Sequence, residues 1–122
     1  MRRLPLLTAA LALGAALVLA GCGGDKGGGG DDAVPPATGV SQVTARDNRF
    51  TPAAIQIPAG TEVTWIFKDG FVPHDVVADG FNSGKPRRKG TFAHTFDRPG
   101  TYAYRCSVHD GMTGRVVVTA AS

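Results

Sequence analysis

Hydrophobic residues are distributed in three unlike ways along the chain. From Leu4 to Ala20 they form one nearly continuous run, and from Gly23 to Gly39 they almost vanish, with Val34 the only large aliphatic residue. From Val40 onward they return as short β-branched and aromatic stretches separated by Gly, Pro, Asn and Asp, the texture of an all-β domain. This pattern predicts strands over residues 40–45, 54–57, 62–67, 75–77, 91–96, 101–105 and 115–119. Val63, Trp65 and Phe67 alternate with Glu62, Thr64 and Ile66, and Phe92, His94 and Phe96 alternate with Ala93 and Thr95, so each strand should bury one face. Turns are expected at Pro58-Ala59-Gly60, Lys68-Asp69-Gly70 and Arg98-Pro99-Gly100. Seven short strands without a sustained helical period predict a β-sandwich over residues 40–122.

The first two regions are read as targeting and tethering segments. Arg2 and Arg3 precede the apolar run, which at about 17 residues and with Pro5 near its start falls just short of a membrane span. It ends in Leu19-Ala20-Gly21-Cys22, which resembles the bacterial lipoprotein box, so residues 1–21 are expected to be a cleaved signal and Cys22 the lipidated residue. Acyl chains contribute about 0.8 kcal/mol per buried CH₂, and several on one residue would keep the protein on a membrane. Residues 22–39 then form a Gly- and Pro-rich tether spanning about 20–25 Å as a flexible coil. Loss of Arg2 and Arg3 lowers the net charge from +3 to +1. Export and a small charge exclude nucleic acid as a partner and leave the membrane surface or other proteins.

With Cys22 set aside, the exported part has a single Cys and a single Met, six residues apart with a His between: Cys106-Ser-Val-His109-Asp-Gly-Met112. Between two predicted strands, this loop is short enough for thiolate, imidazole and thioether to converge on one ion, with Gly111 and Gly114 permitting the turn. His74, after Pro73, supplies a fourth donor from upstream. A thiolate, two imidazoles and a weak axial thioether suit copper and a one-electron site, whereas structural zinc sites rarely use Met. A domain of about 83 residues has a modest core, so a bound metal also bears on stability.

Gly100-Thr-Tyr102-Ala-Tyr104-Arg-Cys106-Ser-Val-His109-Asp-Gly-Met112, with Pro73-His74 upstream, resembles the cupredoxin family of blue copper proteins. The Cys-x-x-His-x-x-Met spacing is similar to that of the amicyanins, where plastocyanins have a longer gap before Met. Asp47 to Pro52, Ala59 to Trp65 and Phe92 to Gly100 extend the resemblance over about residues 40–119. It implies a Greek-key sandwich of seven to eight strands, one type 1 copper held by His74, Cys106, His109 and Met112, and electron exit through the exposed edge of His109. Asp75 and Ser107, which follow two of these ligands, are expected to support them. The chain departs from the amicyanins in carrying Asp75 for Asn and in lacking loop prolines around His109, where Val108 and Asp110 stand. The acidic Asp110 also argues against inheriting an amicyanin's apolar docking partner.

Other readings compete at individual positions. His94 shares a strand face with Phe92 and Phe96 and is expected to be a partly buried structural residue rather than a ligand. Trp65, Tyr102 and Tyr104 are expected in the packing. Lys85-Pro-Arg87-Arg88-Lys89 is either a solvated loop or a docking surface for an acidic redox partner. The expected function is shuttling one electron between membrane or periplasmic redox proteins, as a monomer and without enzymatic activity. The alternative is copper binding and delivery, against which the single Met of the exported part counts. A nucleophilic role for Cys106 with a His base finds no oxyanion-donor motif.

Overall fold

The computed structural model describes residues 34–121. The apolar N-terminal run, Cys22 and the tether up to residue 33 lie outside the described residues, as does Ser122. Within them there are ten strands and no helix: β1 Ala37–Thr38, β2 Gln42–Arg46, β3 Arg49–Thr51, β4 Ala54–Pro58, β5 Thr61–Lys68, β6 Val77–Ala78, β7 Phe81–Asn82, β8 Lys89–Phe96, β9 Gly100–Arg105 and β10 Thr113–Thr119. They form two sheets, one in the order β1-β4-β10-β9-β6-β7 and the other β3-β2-β5-β8, packed as an all-β sandwich. Six of the seven expected strands correspond to β2, β4, β5, β8, β9 and β10 and the seventh to the two-residue β6, while β1, β3 and β7 lie outside the expected set.

Alternation decides which face each long strand buries. In β5, Val63, Trp65 and Phe67 are buried while Glu62 and Lys68 are exposed, and β2 buries Val43 and Ala45 between outward Gln42, Thr44 and Arg46. Trp65 is fully buried at the centre of the core, with its ring 5.3–6.3 Å from those of Phe81, Phe92, Phe96 and Tyr104. Each such aromatic pair adds about 0.5–1.5 kcal/mol to its area burial. His94 stacks on Phe81 at 4.5 Å and meets Phe96 edge-on at 4.9 Å, which places it in the packing as its strand pattern predicts.

The differences from the expected strands have local causes. β1, β3 and β7 are two or three residues long, too short to show alternation, and exist because a neighbour pairs with them. β1 lies in the stretch whose composition reads as tether, yet Ala37 packs on the core and Arg115 donates to the carbonyl of Val34. The strand expected over 75–77 contracts to Val77–Ala78, because the Val76 amide goes to Ser83 Oγ (2.8 Å) and Asp75 turns its carboxylate to another loop. β2 and β3 are joined by Asp47 and Asn48, both at positive φ (51° and 59°), the two-residue turn that suits the twist of a hairpin.

Gly114 serves a purpose the sequence does not reveal. It pairs with Tyr104 across β9 and β10, and a Cβ there would lie 2.4 Å from Cζ of the Tyr104 ring. Its small size therefore seats a core aromatic, while Gly111, at φ 79°, makes the turn. Gly114→Ala should destabilise the domain by roughly 1–3 kcal/mol through overpacking, measured by urea unfolding of the metal-free chain. A change within about 0.5 kcal/mol would mean that Tyr104 repacks freely.

Candidate metal centre

Of the four predicted donors, His74, Cys106 and His109 come together at one end of the sandwich, and Met112 closes the Cys106 loop through its backbone. His74 follows the loop that leaves β5 and is held by reciprocal backbone bonds with Arg87, His74 N to Arg87 O at 3.0 Å and Arg87 N to His74 O at 2.9 Å. Cys106 follows β9, and its loop closes on itself through Cys106 N to Met112 O (2.9 Å) and Met112 N to His109 O (3.4 Å). His74, Cys106 and Met112 are all buried, and His109 is partly exposed.

Cys106 Sγ lies 3.9 Å from His74 Nδ1, and the His74 and His109 rings are 5.3 Å apart between centroids. His109 Nε2 is buried with no hydrogen-bond partner among the described residues, a costly state for an imidazole nitrogen unless something else takes its lone pair or proton. No cluster of three or more His, Cys, Asp and Glu donors closes into a cage among the described residues. The site is a Cys–His contact pair with a second imidazole beside it, and its remaining candidate is a thioether, a donor of another class. Soft sulfur with imidazole in a largely buried setting fits copper better than a hard cation.

Two carboxylates fix this arrangement from behind. Asp75 accepts the Ser107 amide at 2.7 Å and the Ser107 hydroxyl, so the residues expected to support the ligands bind each other and tie the two ligand loops together. The second carboxylate, Asp69, was legible only as part of a turn. It is buried and accepts four hydrogen bonds: from the amides of Phe71 (3.0 Å), Val72 (3.2 Å) and Asp47 (3.2 Å), and from His74 Nε2 (2.8 Å). These bonds, the Phe71 amide first and His74 next, hold its carboxyl well below the usual carboxylate range against the opposing effect of burial. An ionised carboxylate only accepts, so Nε2 of His74 carries the hydrogen and Nδ1 faces Cys106. The sequence signal was an Asp starting a Gly-containing turn five residues before the candidate ligand, where a side chain can satisfy the turn's own amides.

A two-sheet β-sandwich that brings Cys, two His and Met to one end has the architecture of the small copper proteins called cupredoxins. A family model described as copper-binding proteins of the plastocyanin/azurin family matches residues 37–119, and the chain belongs to that family, whose cofactor is copper. It is 33% identical over 120 residues to amicyanin-alpha of Methylorubrum extorquens, covering 89% of this chain and 98% of that protein. It is 36% identical over 97 residues to halocyanin of Natronomonas pharaonis, covering 73% of this chain but 58% of the halocyanin. Among solved structures it is similar to a purple cupredoxin from Nitrosopumilus maritimus (TM-score 0.59, 32% identity, 66% of this chain and 100% of that one). It is also similar to an amicyanin variant in its reduced Cu(I) form at pH 4 (TM-score 0.59, 27% identity, 68% and 85%).

Asp69→Asn should lower copper affinity about 10–100-fold, the usual effect of removing a carboxylate behind a ligating imidazole, read by competition titration with a copper chelator. The same change alters acid stability. The folded-state carboxyl titrates below its unfolded value of about 3.9, so its contribution is complete above that pH and is lost as pH falls toward the folded value. Urea midpoints of the metal-free chain should therefore fall more steeply below about pH 4 in wild type than in Asp69→Asn. Parallel curves would show that Asp69 does not stabilise the fold through its charge.

Proposed function

We propose that the protein is a type 1 copper electron carrier in which His74, Cys106, His109 and Met112 hold one copper ion. The observation that carries this reading is the buried contact between Cys106 Sγ and His74 Nδ1, with Asp69 occupying the other nitrogen of the same ring. Copper bound there supplies a one-electron Cu(II)/Cu(I) couple. The chain's own residues do the rest. Asp69 and Arg87 fix His74, the Asp75–Ser107 pair fixes the Cys106 loop against it, and the buried Cys106 and Met112 exclude water from the sulfur side. A site held this firmly changes little between oxidation states, which favours rapid electron exchange. His109, partly exposed, is the ring through which electrons leave. Copper delivery would require donors open to a receiving protein, and three of the four are buried.

The partners in this reading are a protein electron donor and a protein acceptor, and the carrier works as a monomer. The leader ending in Cys22 supports export and a lipid anchor, placing the domain on the outer face of a membrane at the end of a tether. Cys22→Ala should shift the protein from the membrane to the soluble fraction or leave its leader uncleaved, as read by fractionation and mass spectrometry. Membrane retention of a correctly processed Cys22→Ala chain would contradict the anchor.

Cys106→Ser should abolish the intense visible absorption of the copper-loaded chain, because a hydroxyl is a hard, poorly ionised donor in place of a thiolate. His94→Asn, which alters only the Phe81 and Phe96 packing, should leave that spectrum unchanged. A strongly coloured Cys106→Ser protein, or loss of colour in His94→Asn, would overturn the ligand assignment.

A further inference from the structure

Four cations stand in one row across the β3-β2-β5-β8 sheet, at the end that leads into the metal centre. Arg49 lies directly opposite Arg46, and Lys68 directly opposite Lys89. The parallel pairing of β2 with β5 runs to Ala45 and Phe67, which makes Arg46 and Lys68 the next neighbours along it. Strand alternation buries Ala45, Phe50 and Phe67 and turns Arg46, Arg49, Lys68 and Lys89 to solvent. Arg88 extends the row, exposed, with Nη1 3.5 Å from the Gly70 carbonyl. Arg87, of the same basic run, does not belong to it. Its guanidinium lies over the Phe67 ring at 5.1 Å and bonds the carbonyls of Thr91 and Ser83, so it secures the loop.

Like charges directly opposite one another destabilise a sheet, and here two such pairs lie side by side. The next row on this face, Thr51, Thr44, Ile66 and Thr91, is uncharged, and the acidic residue of β5, Glu62, stands near its other end. Among the described residues only Arg46 of these cations has a carboxylate partner, the adjacent Asp47 at 3.2 Å, and exposed pairs of that kind contribute at most about 1 kcal/mol. Between Arg46, Lys68, Arg88 and Lys89 runs an open groove of about 410 Å³, with Phe67 and Asp69 in its lining. Asp69 is one hydrogen bond, 2.8 Å, from the ligand His74. Two residues on, Phe71 is 92% exposed, a bare aromatic on the same loop.

We propose that this cationic groove, with Phe71 beside it, is the docking surface for an acidic protein that exchanges electrons with the copper centre, an inference that rests on the electron-carrier reading above. Uncompensated positive charge steers an anionic partner to this end of the domain, and Phe71 supplies the apolar contact of a short-lived complex. An acidic protein fits better than an anionic bilayer. A bilayer on this surface would cover the end of the sandwich through which electrons must pass, whereas a protein docked there can carry its own redox group to it.

The test uses the copper-loaded, reduced chain and a deca-glutamate peptide as the acidic probe. Amide NMR shifts should concentrate at Arg46, Arg49, Lys68, Arg88 and Lys89 and fade with added salt. Lys68→Gln/Lys89→Gln should weaken peptide binding about fivefold, as expected for the loss of two exposed ion pairs. Arg98→Gln/Arg105→Gln, which removes the same charge elsewhere, should leave it unchanged. Equal weakening by both double variants, or shifts scattered over the surface, would overturn the docking surface. So would tighter binding of the same residues to phosphatidylglycerol vesicles than to the peptide. Oxidation of the same samples by hexacyanoferrate(III) separates the two inferences. Absence of electron exchange sinks the carrier reading, whereas normal exchange with scattered peptide binding sinks the docking surface alone.

Discussion

Asp75 fastens together two loops that are 32 residues apart in sequence, and the metal centre depends on that connection. His74 and Cys106 stand on opposite sides of it. One is anchored to Arg87 beside the four-stranded sheet, and the other follows β9 in the six-stranded sheet. Hydrophobic packing around Trp65 holds the sheets together but cannot set the distance between two loop residues at their rim. A carboxylate that takes both the amide and the hydroxyl of Ser107 can, because two hydrogen bonds to one residue fix direction as well as distance. The Cys106 loop, closed on itself by the Met112 carbonyl, is then held as a unit against His74.

Charge around the centre is layered. Inside, the buried carboxylates Asp69 and Asp75 lie behind the two ligand loops, and Asp69 is kept ionised by the amides of Phe71, Val72 and Asp47 as well as by His74. Outside, Arg46, Arg49, Lys68, Arg88 and Lys89 face water. There, solvent and salt screen their effect on the centre. One strand end supplies both layers, since Lys68 closes β5 on the outside and Asp69 turns inward immediately after it.

The parts legible in the sequence were those carried by residue type or by period. A lone Cys, a lone Met and a His at loop spacing point to a soft-metal site, and the alternation about Trp65 predicts which strand face is buried. The same alternation reads His94 as a packing residue, and its ring lies against Phe81 and Phe96. What escaped depends on which strands become neighbours. Asp69 is a turn residue in the sequence; in the fold its carboxylate takes the turn's own amides and His74 Nε2, and the β2–β3 turn adds the Asp47 amide. Gly114 reads as a loop glycine until register places the Tyr104 ring upon it. The basic run at 85–89 reads as one cluster, yet the fold turns Arg87 inward and joins Lys89 to cations from three other strands. β1, β3 and β7 carry no pattern of their own.

In the proposed carrier, one rigid frame presents the same thiolate, imidazole and thioether donors to copper in both oxidation states. X-ray absorption at the copper edge, recorded on the oxidised and the reduced chain at neutral pH, tests it directly. One short copper–sulfur distance and two copper–nitrogen distances are expected in the oxidised spectrum, with only small changes on reduction. A copper environment of oxygen and nitrogen without the short sulfur, or one in which a nitrogen ligand is lost on reduction, would contradict it.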